Sequence, residues 1–281
     1  MGSMTPEMRC KVPVRYKELY DKQLKDVMKS ECGNRDFGTA LQLLSSPPDQ
    51  AECGMIHRAC KGLGTNETLL FTIICGRSNK EMEILKKQYF KLFDKDLGSL
   101  LNSELGGHFE TLIFTCLQAS EEGYDEGYHD DAKMQEDVEK LYKMGQGKFG
   151  TDEKGLFKIL SASPPDYIKK LNLLYADKYG FTLVKVLETE LRGDLKTAAM
   201  FMINMKTKPY VAVCRLIKEA CKGFGTNELL LTCTIIRYQG IMKEIMIAFV
   251  EEFGETIQDV VKGEVRGDYQ KLLLAVLDSA P

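Results

Sequence analysis

The strongest constraint on this chain is a glycine-rich segment that occurs three times, each copy followed at nearly fixed distance by a glutamate. The segments are Cys60-Lys61-Gly62-Leu63-Gly64-Thr65-Asn66-Glu67, Lys148-Phe149-Gly150-Thr151-Asp152-Glu153 and Cys221-Lys222-Gly223-Phe224-Gly225-Thr226-Asn227-Glu228. Glu104, Glu190 and Glu264 follow the last glycine of each copy by 40, 40 and 39 residues. The last glycines, Gly64, Gly150 and Gly225, stand 86 and 75 residues apart. Repetition on this scale specifies stacked modules sharing one plan. Glycine accepts the positive φ that a loop needs to turn its carbonyls outward. Outward carbonyls plus one distant carboxylate give the all-oxygen surroundings of a hard cation.

Between the loops the apolar pattern is helical. Met55, Ile56 and Ala59 form a stripe before the first loop, and Leu69, Leu70, Ile73 and Ile74 follow it at helical spacing. Ser78-Asn79 reads as a helix start ahead of Met82, Leu85, Tyr89, Leu92 and Phe93. Leu97, Leu100, Leu101 and Leu105 make a fourth helix stopped by Gly106-Gly107, and Phe109, Leu112, Ile113 and Leu117 a fifth. The final module repeats this order and ends with Leu272, Leu273, Leu274 and Val276. Alternating β-branched runs with turn dipeptides are scarce, so the expected class is all-α. The longer interval between loops holds an acidic run, Glu121 to Asp131, expected to be a solvated linker. It does not suit an EF-hand, because a frame begun at Asp125 puts Asp130 where that loop needs glycine.

Composition narrows the function classes. With 44% hydrophobic and 28% charged residues the chain is of ordinary globular type. No apolar run reaches the roughly 18 residues needed to span a bilayer, and no signal peptide is expected. The opening Met1-Gly2-Ser3-Met4 reads as a cloning remnant, and residues 1–13 are expected to be tag or disordered. The nine cysteines form no C-x-x-C pair, and Cys75, Cys116, Cys214 and Cys233 fall in apolar helical patterns. They read as small hydrophobes of a reduced, cytoplasmic protein. His57, His108 and His129 are too scattered for a histidine metal site. A net charge of −3 argues against nucleic acid as a partner.

The loops and their acids resemble the annexins. That family's signature is K-G-x-G-T-[DN]-E, completed about 40 residues later by a carboxylate in an S-E-L-x-G segment as a type II calcium site. Asn102-Ser103-Glu104-Leu105-Gly106-Gly107 is similar to that segment, and Lys262-Gly263-Glu264-Val265-Arg266-Gly267-Asp268 is similar to the variant of fourth repeats. Gly145-Gln146-Gly147-Lys148-Phe149-Gly150-Thr151 is similar to the longer loop of third repeats. The resemblance implies an array of five-helix repeats forming a curved disc, with the calcium loops on its convex face. The boundaries it implies are a partial first repeat at 14–48, a second at 49–119, the acidic linker at 120–135, a third at 136–206 and a fourth at 207–281. The first repeat lacks two helices and its loop, so Glu31 has no loop to complete. The loss is expected to leave apolar surface of the fourth and fifth helices bare.

The resemblance also implies the ligands. In the second repeat they are the carbonyls of Cys60, Gly62 and Gly64 with Glu104. In the third they are Gly145, Lys148 and Gly150 with Glu190, and in the fourth Cys221, Gly223 and Gly225 with Glu264. Family members usually carry methionine where Cys60 and Cys221 stand, a change of little consequence if the carbonyl is the ligand. Three carbonyls and a bidentate glutamate supply about five of the 6 to 8 oxygens Ca²⁺ takes. Positions then stay open for an anionic lipid headgroup. Three Ca²⁺ ions add six positive charges to the net −3, giving about +3 and attraction to anionic lipid. At the loop tips Leu63, Phe149 and Phe224 are expected to dip into the headgroup layer, with Lys61, Lys148 and Lys222 on phosphates. Glu67 and Glu228 read as helix-opening carboxylates, and Arg77 and Arg237 as structural ion-pair partners. The third repeat has Ser161-Ala162-Ser163 in place of this arginine.

Calcium-dependent binding to anionic phospholipid, peripheral to the membrane, is the function implied. The alternative is a cytoskeletal scaffold with secondary calcium binding; self-association on membranes fits either. No P-loop, G-x-S-x-G or H-E-x-x-H is present, so an enzyme is not expected.

Overall fold

Many helix starts in this chain are set by a side-chain oxygen placed one residue ahead of the helix. The computed structural model describes residues 1–62, 64–145, 151–223 and 225–281. In chain order its helices are α1 (Pro6–Tyr20), α2 (Leu24–Cys32), α3 (Asp36–Leu44), α4 (Pro48–Ala59), α5 (Glu67–Ile74), α6 (Asn79–Phe93), α7 (Leu97–Glu104), α8 (Gly107–Leu117) and α9 (Asp131–Met144). They continue as α10 (Glu153–Ala162), α11 (Pro165–Tyr179), α12 (Leu183–Glu190), α13 (Gly193–Thr207), α14 (Pro209–Ala220), α15 (Glu228–Arg237), α16 (Met242–Phe253), α17 (Ile257–Glu264) and α18 (Gly267–Asp278). A short 3-10 turn, Gln239–Ile241, precedes α16, and no strand occurs among the described residues. Ser78 and Glu81 close a reciprocal capping box at the start of α6. Asp96, Thr182 and Thr256 cap the helices that end in the three glutamates. Among the described residues no helix is long and apolar enough to cross a membrane.

The chain divides into two units. One comprises Met1–Arg58 and Tyr210–Pro281, the other Ala59–Pro209. In the first unit α3 packs on α2, α15 and α18. Its core includes Ala40, Leu44, Met55, Ile217, Ile235, Phe249, Val261 and Leu273, all at most 2% exposed. In the second unit α13 packs on α5, α8, α11 and α12, and α10 packs on α8 and α9. Leu70, Phe71, Tyr89, Leu101, Ile113, Phe157, Tyr167 and Tyr175 fill it. Each buried Leu, Ile, Val, Phe or Met among them contributes about 1.5–3 kcal/mol by leaving water.

Three expectations are corrected. Residues 1–13 are not a disordered tail, because α1 begins at Pro6 with Thr5 as its cap. The Arg9 guanidinium, 3% exposed, is the reason. It donates to the carbonyls of Met1 (2.9 Å) and Met4 (2.6 Å), while Ser279 Oγ donates to Gly2 O at 2.9 Å. Nor are the fourth and fifth helices of the short first repeat bare. α3 is covered by α15 and α18, and the exposed apolar side chains lie on α1: Met8, Val14, Leu19 and Tyr20. The acidic segment is only partly solvated, and its last residues from Asp131 belong to α9. Asn79 Nδ2 donates to Glu121 O at 2.8 Å, and the buried His129 ring stacks on Tyr124 with centroids 5.5 Å apart.

Candidate metal centres

The three glutamates share one local setting. Each is the last residue of an eight-residue helix: Glu104 of α7, Glu190 of α12 and Glu264 of α17. The following residue, Leu105, Leu191 or Val265, is extended and bonds its N–H back into the helix. A carboxylate here faces the negative end of the helix dipole, a setting that disfavours it unless a cation is near. The same placement recurs in all three copies.

The loops are closed in the same way in each copy. The N–H of Asn66, Asp152 and Asn227 donates to the carbonyl of Ala59, Met144 and Ala220 at 2.8, 2.8 and 2.7 Å. The side chains of these residues then cap α5, α10 and α15, accepting from Leu69, Gly155 and Leu230 N–H. Within the first and last loops Gly62 and Gly223 have φ of 118° and 97°. A Cβ on either would meet nothing within 4 Å. The glycine requirement there is therefore conformational rather than steric.

Loop and acid meet through a residue that sequence reasoning did not assign. Thr65 Oγ1 donates to Glu104 Oε2 at 3.3 Å, Thr151 Oγ1 to Glu190 Oε2 at 3.4 Å and Thr226 Oγ1 to Glu264 Oε2 at 2.8 Å. The signal was a threonine at the same place in all three motifs. Glu104 and Glu190 are half-buried and Glu264 is exposed. Among the described residues no three His, Cys, Asp or Glu side chains converge. A cation held beside these glutamates would accordingly take most of its oxygens from backbone.

The remaining expected site residues fall as follows. Cys60 and Cys221 are half-buried. Burial first, and the nearby Glu104 or Glu264 second, push their thiols up to about 12 and about 11. Both stay protonated at neutral pH. Gly145 is the buried C-cap of α9 with φ −92°, and a Cβ there would stand 2.9 Å from Val186 Cγ1. Its need for glycine is steric, unlike that of Gly62. Lys61 and Lys222 are exposed, with Lys222 Nζ 3.4 Å from Glu219. Leu63, Lys148, Phe149, Gly150 and Phe224 lie outside the described residues.

The cations at the ends of α5, α10 and α15 differ between repeats. Arg237 pairs with Glu52, both largely buried, and Arg77 Nε donates to Ile73 O at the end of α5. Where the third repeat has no such arginine, Lys206 of α13 reaches the end of α10. Its ammonium, 8% exposed, donates to Ser161 O (2.8 Å) and Ser163 O (2.6 Å) and pairs with Glu121 (2.6 Å). Burial lowers its pKa.

The family profile described as Annexin matches residues 50–115, 136–202 and 212–276. Annexin A13 of Mus musculus is 31% identical over 278 residues, covering 99% of this chain and 87% of that protein. Annexin III superposes with a TM-score of 0.90 at 24% identity, covering 99% of this chain and 85% of that one. The calcium-bound annexin (Sm)1 superposes with a TM-score of 0.81 at 22% identity, covering 97% and 81%. Three profile matches covering most of the sequence, on an all-helical fold of this kind, have one meaning: the chain belongs to the annexin family.

Proposed function

We propose that this protein binds anionic phospholipid surfaces in a calcium-dependent manner through three type II sites, one in each repeat that carries a loop. The observation that carries the reading is the threonine–glutamate hydrogen bond, repeated as Thr65–Glu104, Thr151–Glu190 and Thr226–Glu264. It joins each glycine loop to the acid that has no local reason to sit at a helix C-terminus. The profile matches favour the same repeats, for which we propose limits of 49–119, 136–206 and 207–281.

In this reading the carbonyls of Cys60, Gly62 and Gly64 with Glu104 hold the first Ca²⁺. Cys221, Gly223 and Gly225 with Glu264 hold the last. The middle ion takes Gly145, Lys148 and Gly150 with Glu190. When bound, the ion supplies a positive charge that one carboxylate does not neutralise, and its open positions accept a phosphate or carboxylate of a headgroup. Calcium and lipid then strengthen each other's binding, as thermodynamic linkage requires. The exposed Lys61 and Lys222 add attraction to an anionic surface. Leu63, Phe149 and Phe224 are assigned to the headgroup layer. No covalent chemistry is part of this function.

The test is co-sedimentation with phosphatidylserine vesicles. Binding should appear with calcium and reverse on chelation. Equal sedimentation in both conditions, or none in either, would overturn the reading.

A further inference from the structure

The sulfur chemistry of the second unit is not used by the calcium sites. Cys75 is the residue that follows α5, fully buried, and Cys116 lies in the last turn of α8, half-buried. Their Sγ atoms are 3.7 Å apart, and the Sδ of Met202 on α13 stands 3.7 Å from Cys116 Sγ. The two sulfurs are in direct contact, and a disulfide requires them to close to about 2.05 Å. We propose that Cys75 and Cys116 are an oxidation site, forming a reversible disulfide when a peroxide reaches Cys116.

The surroundings assign the two thiols different parts. Cys116 lines a shallow cleft together with Gly76, Asn79, Ser120, Glu121 and Lys206. Cys75 is sealed from solvent, and contact with Cys116 followed by burial holds its thiol well above the ordinary cysteine range. Cys116 is therefore the sulfur that meets oxidant and Cys75 the one that resolves it. The Cys116 thiolate attacks a peroxide oxygen, the O–O bond breaks, and Cys116 sulfenic acid and hydroxide result. Cys75 sulfur then attacks the sulfenic sulfur, the S–O bond breaks, and the leaving hydroxide takes the Cys75 proton as water. In sum two thiols and one hydrogen peroxide give one disulfide and two waters.

The bond would close a covalent ring over the 41-residue separation of these cysteines, a ring that contains Glu104. It links the helix leaving the first glycine loop to the helix that follows the first acid. Cross-linking over such a span restrains the unfolded chain more than the folded one, so the oxidised protein should melt at higher temperature.

The experiment is titration of the intact protein with hydrogen peroxide, then non-reducing peptide mapping and intact mass. The expected result is a Cys75–Cys116 cross-linked peptide, loss of two hydrogens from the mass, and recovery of both thiols with dithiothreitol. Cys116→Ser should leave Cys75 unoxidised at the same peroxide concentration. Oxygen added at Cys116 or Met202 without a cross-link would overturn the proposal. So would pairing of either cysteine with another partner, or both thiols free in the wild-type protein. Because the mapping is done on the wild type, instability of a variant does not decide the outcome.

Discussion

Thr226 and Glu264 lie 38 residues apart in the chain, and the threonine hydroxyl donates to the glutamate Oε2 across 2.8 Å. The carboxylate that ends α17 is thereby aimed at the loop that opens α15. The same relation holds over 39 residues for Thr65 with Glu104 and for Thr151 with Glu190.

Removing the charge while keeping the shape tests the acids directly. Glu104→Gln, Glu190→Gln and Glu264→Gln in one protein should abolish calcium-dependent vesicle sedimentation and leave the far-ultraviolet circular dichroism unchanged. All three acids end their helices at the surface or half-buried, so the fold does not depend on them. Undiminished sedimentation of the triple variant would reject the site assignment.

The threonine should matter through aim rather than through charge. Thr226→Val keeps the side-chain volume and deletes the hydrogen bond to Glu264. Such a bond contributes about 0.5–1.5 kcal/mol, so calcium affinity at the last site should fall by about 2- to 13-fold. Calorimetry with calcium on the Glu104→Gln, Glu190→Gln background isolates that site. Affinity equal to the background protein would make the contact incidental.

Two glycines should fail for different reasons. Gly223→Ala puts a Cβ into a left-handed conformation with open space around it, at a cost of about 1–2 kcal/mol. No neighbouring substitution should restore it. Gly145→Ala drives its Cβ against Val186 Cγ1, and Val186→Ala should recover much of the lost stability. Chemical denaturation of the single and double variants reads both, and failure of Val186→Ala to rescue would reject the steric account.

Cys60 offers a pH test. Its folded thiol is pushed up to about 12 from an ordinary 9.0, first by burial and then by Glu104. The raised value means the unfolded chain releases this proton first. The contribution to stability is whole below pH 9 and is lost as pH rises toward 12. Alkylation of Cys60 in the folded protein should keep accelerating well above pH 9. A rate that levels near pH 9 would place the thiol in water instead. Cys60→Met should leave calcium binding intact, because the thiol is not the ligand.

Helix existence, the loop glycines and the spacing of Glu104, Glu190 and Glu264 were readable along the chain. Each rests on local rules: apolar period, a capping oxygen such as that of Ser78, and the φ tolerance of glycine. The start of α1 was not readable. What orders it is Arg9, satisfied by the carbonyls of Met1 and Met4 and reinforced by Ser279, 277 residues away on Gly2. Lys206 is a similar case. Its part in the third repeat depends on carbonyls 43 and 45 residues earlier, and nothing in its own helix marks it.

By itself the sequence determined an all-helical chain of repeats with three glycine-rich segments and one glutamate for each. These follow from neighbours within a few residues, where backbone sterics and side-chain period dominate. Only the tertiary structure decided that a threonine hydroxyl aims each acid and that Lys206 is held by the carbonyls of Ser161 and Ser163. It alone also brought the Cys75 and Cys116 sulfurs into contact. Those partners are chosen by chain closure and packing over tens of residues, which no local pattern encodes.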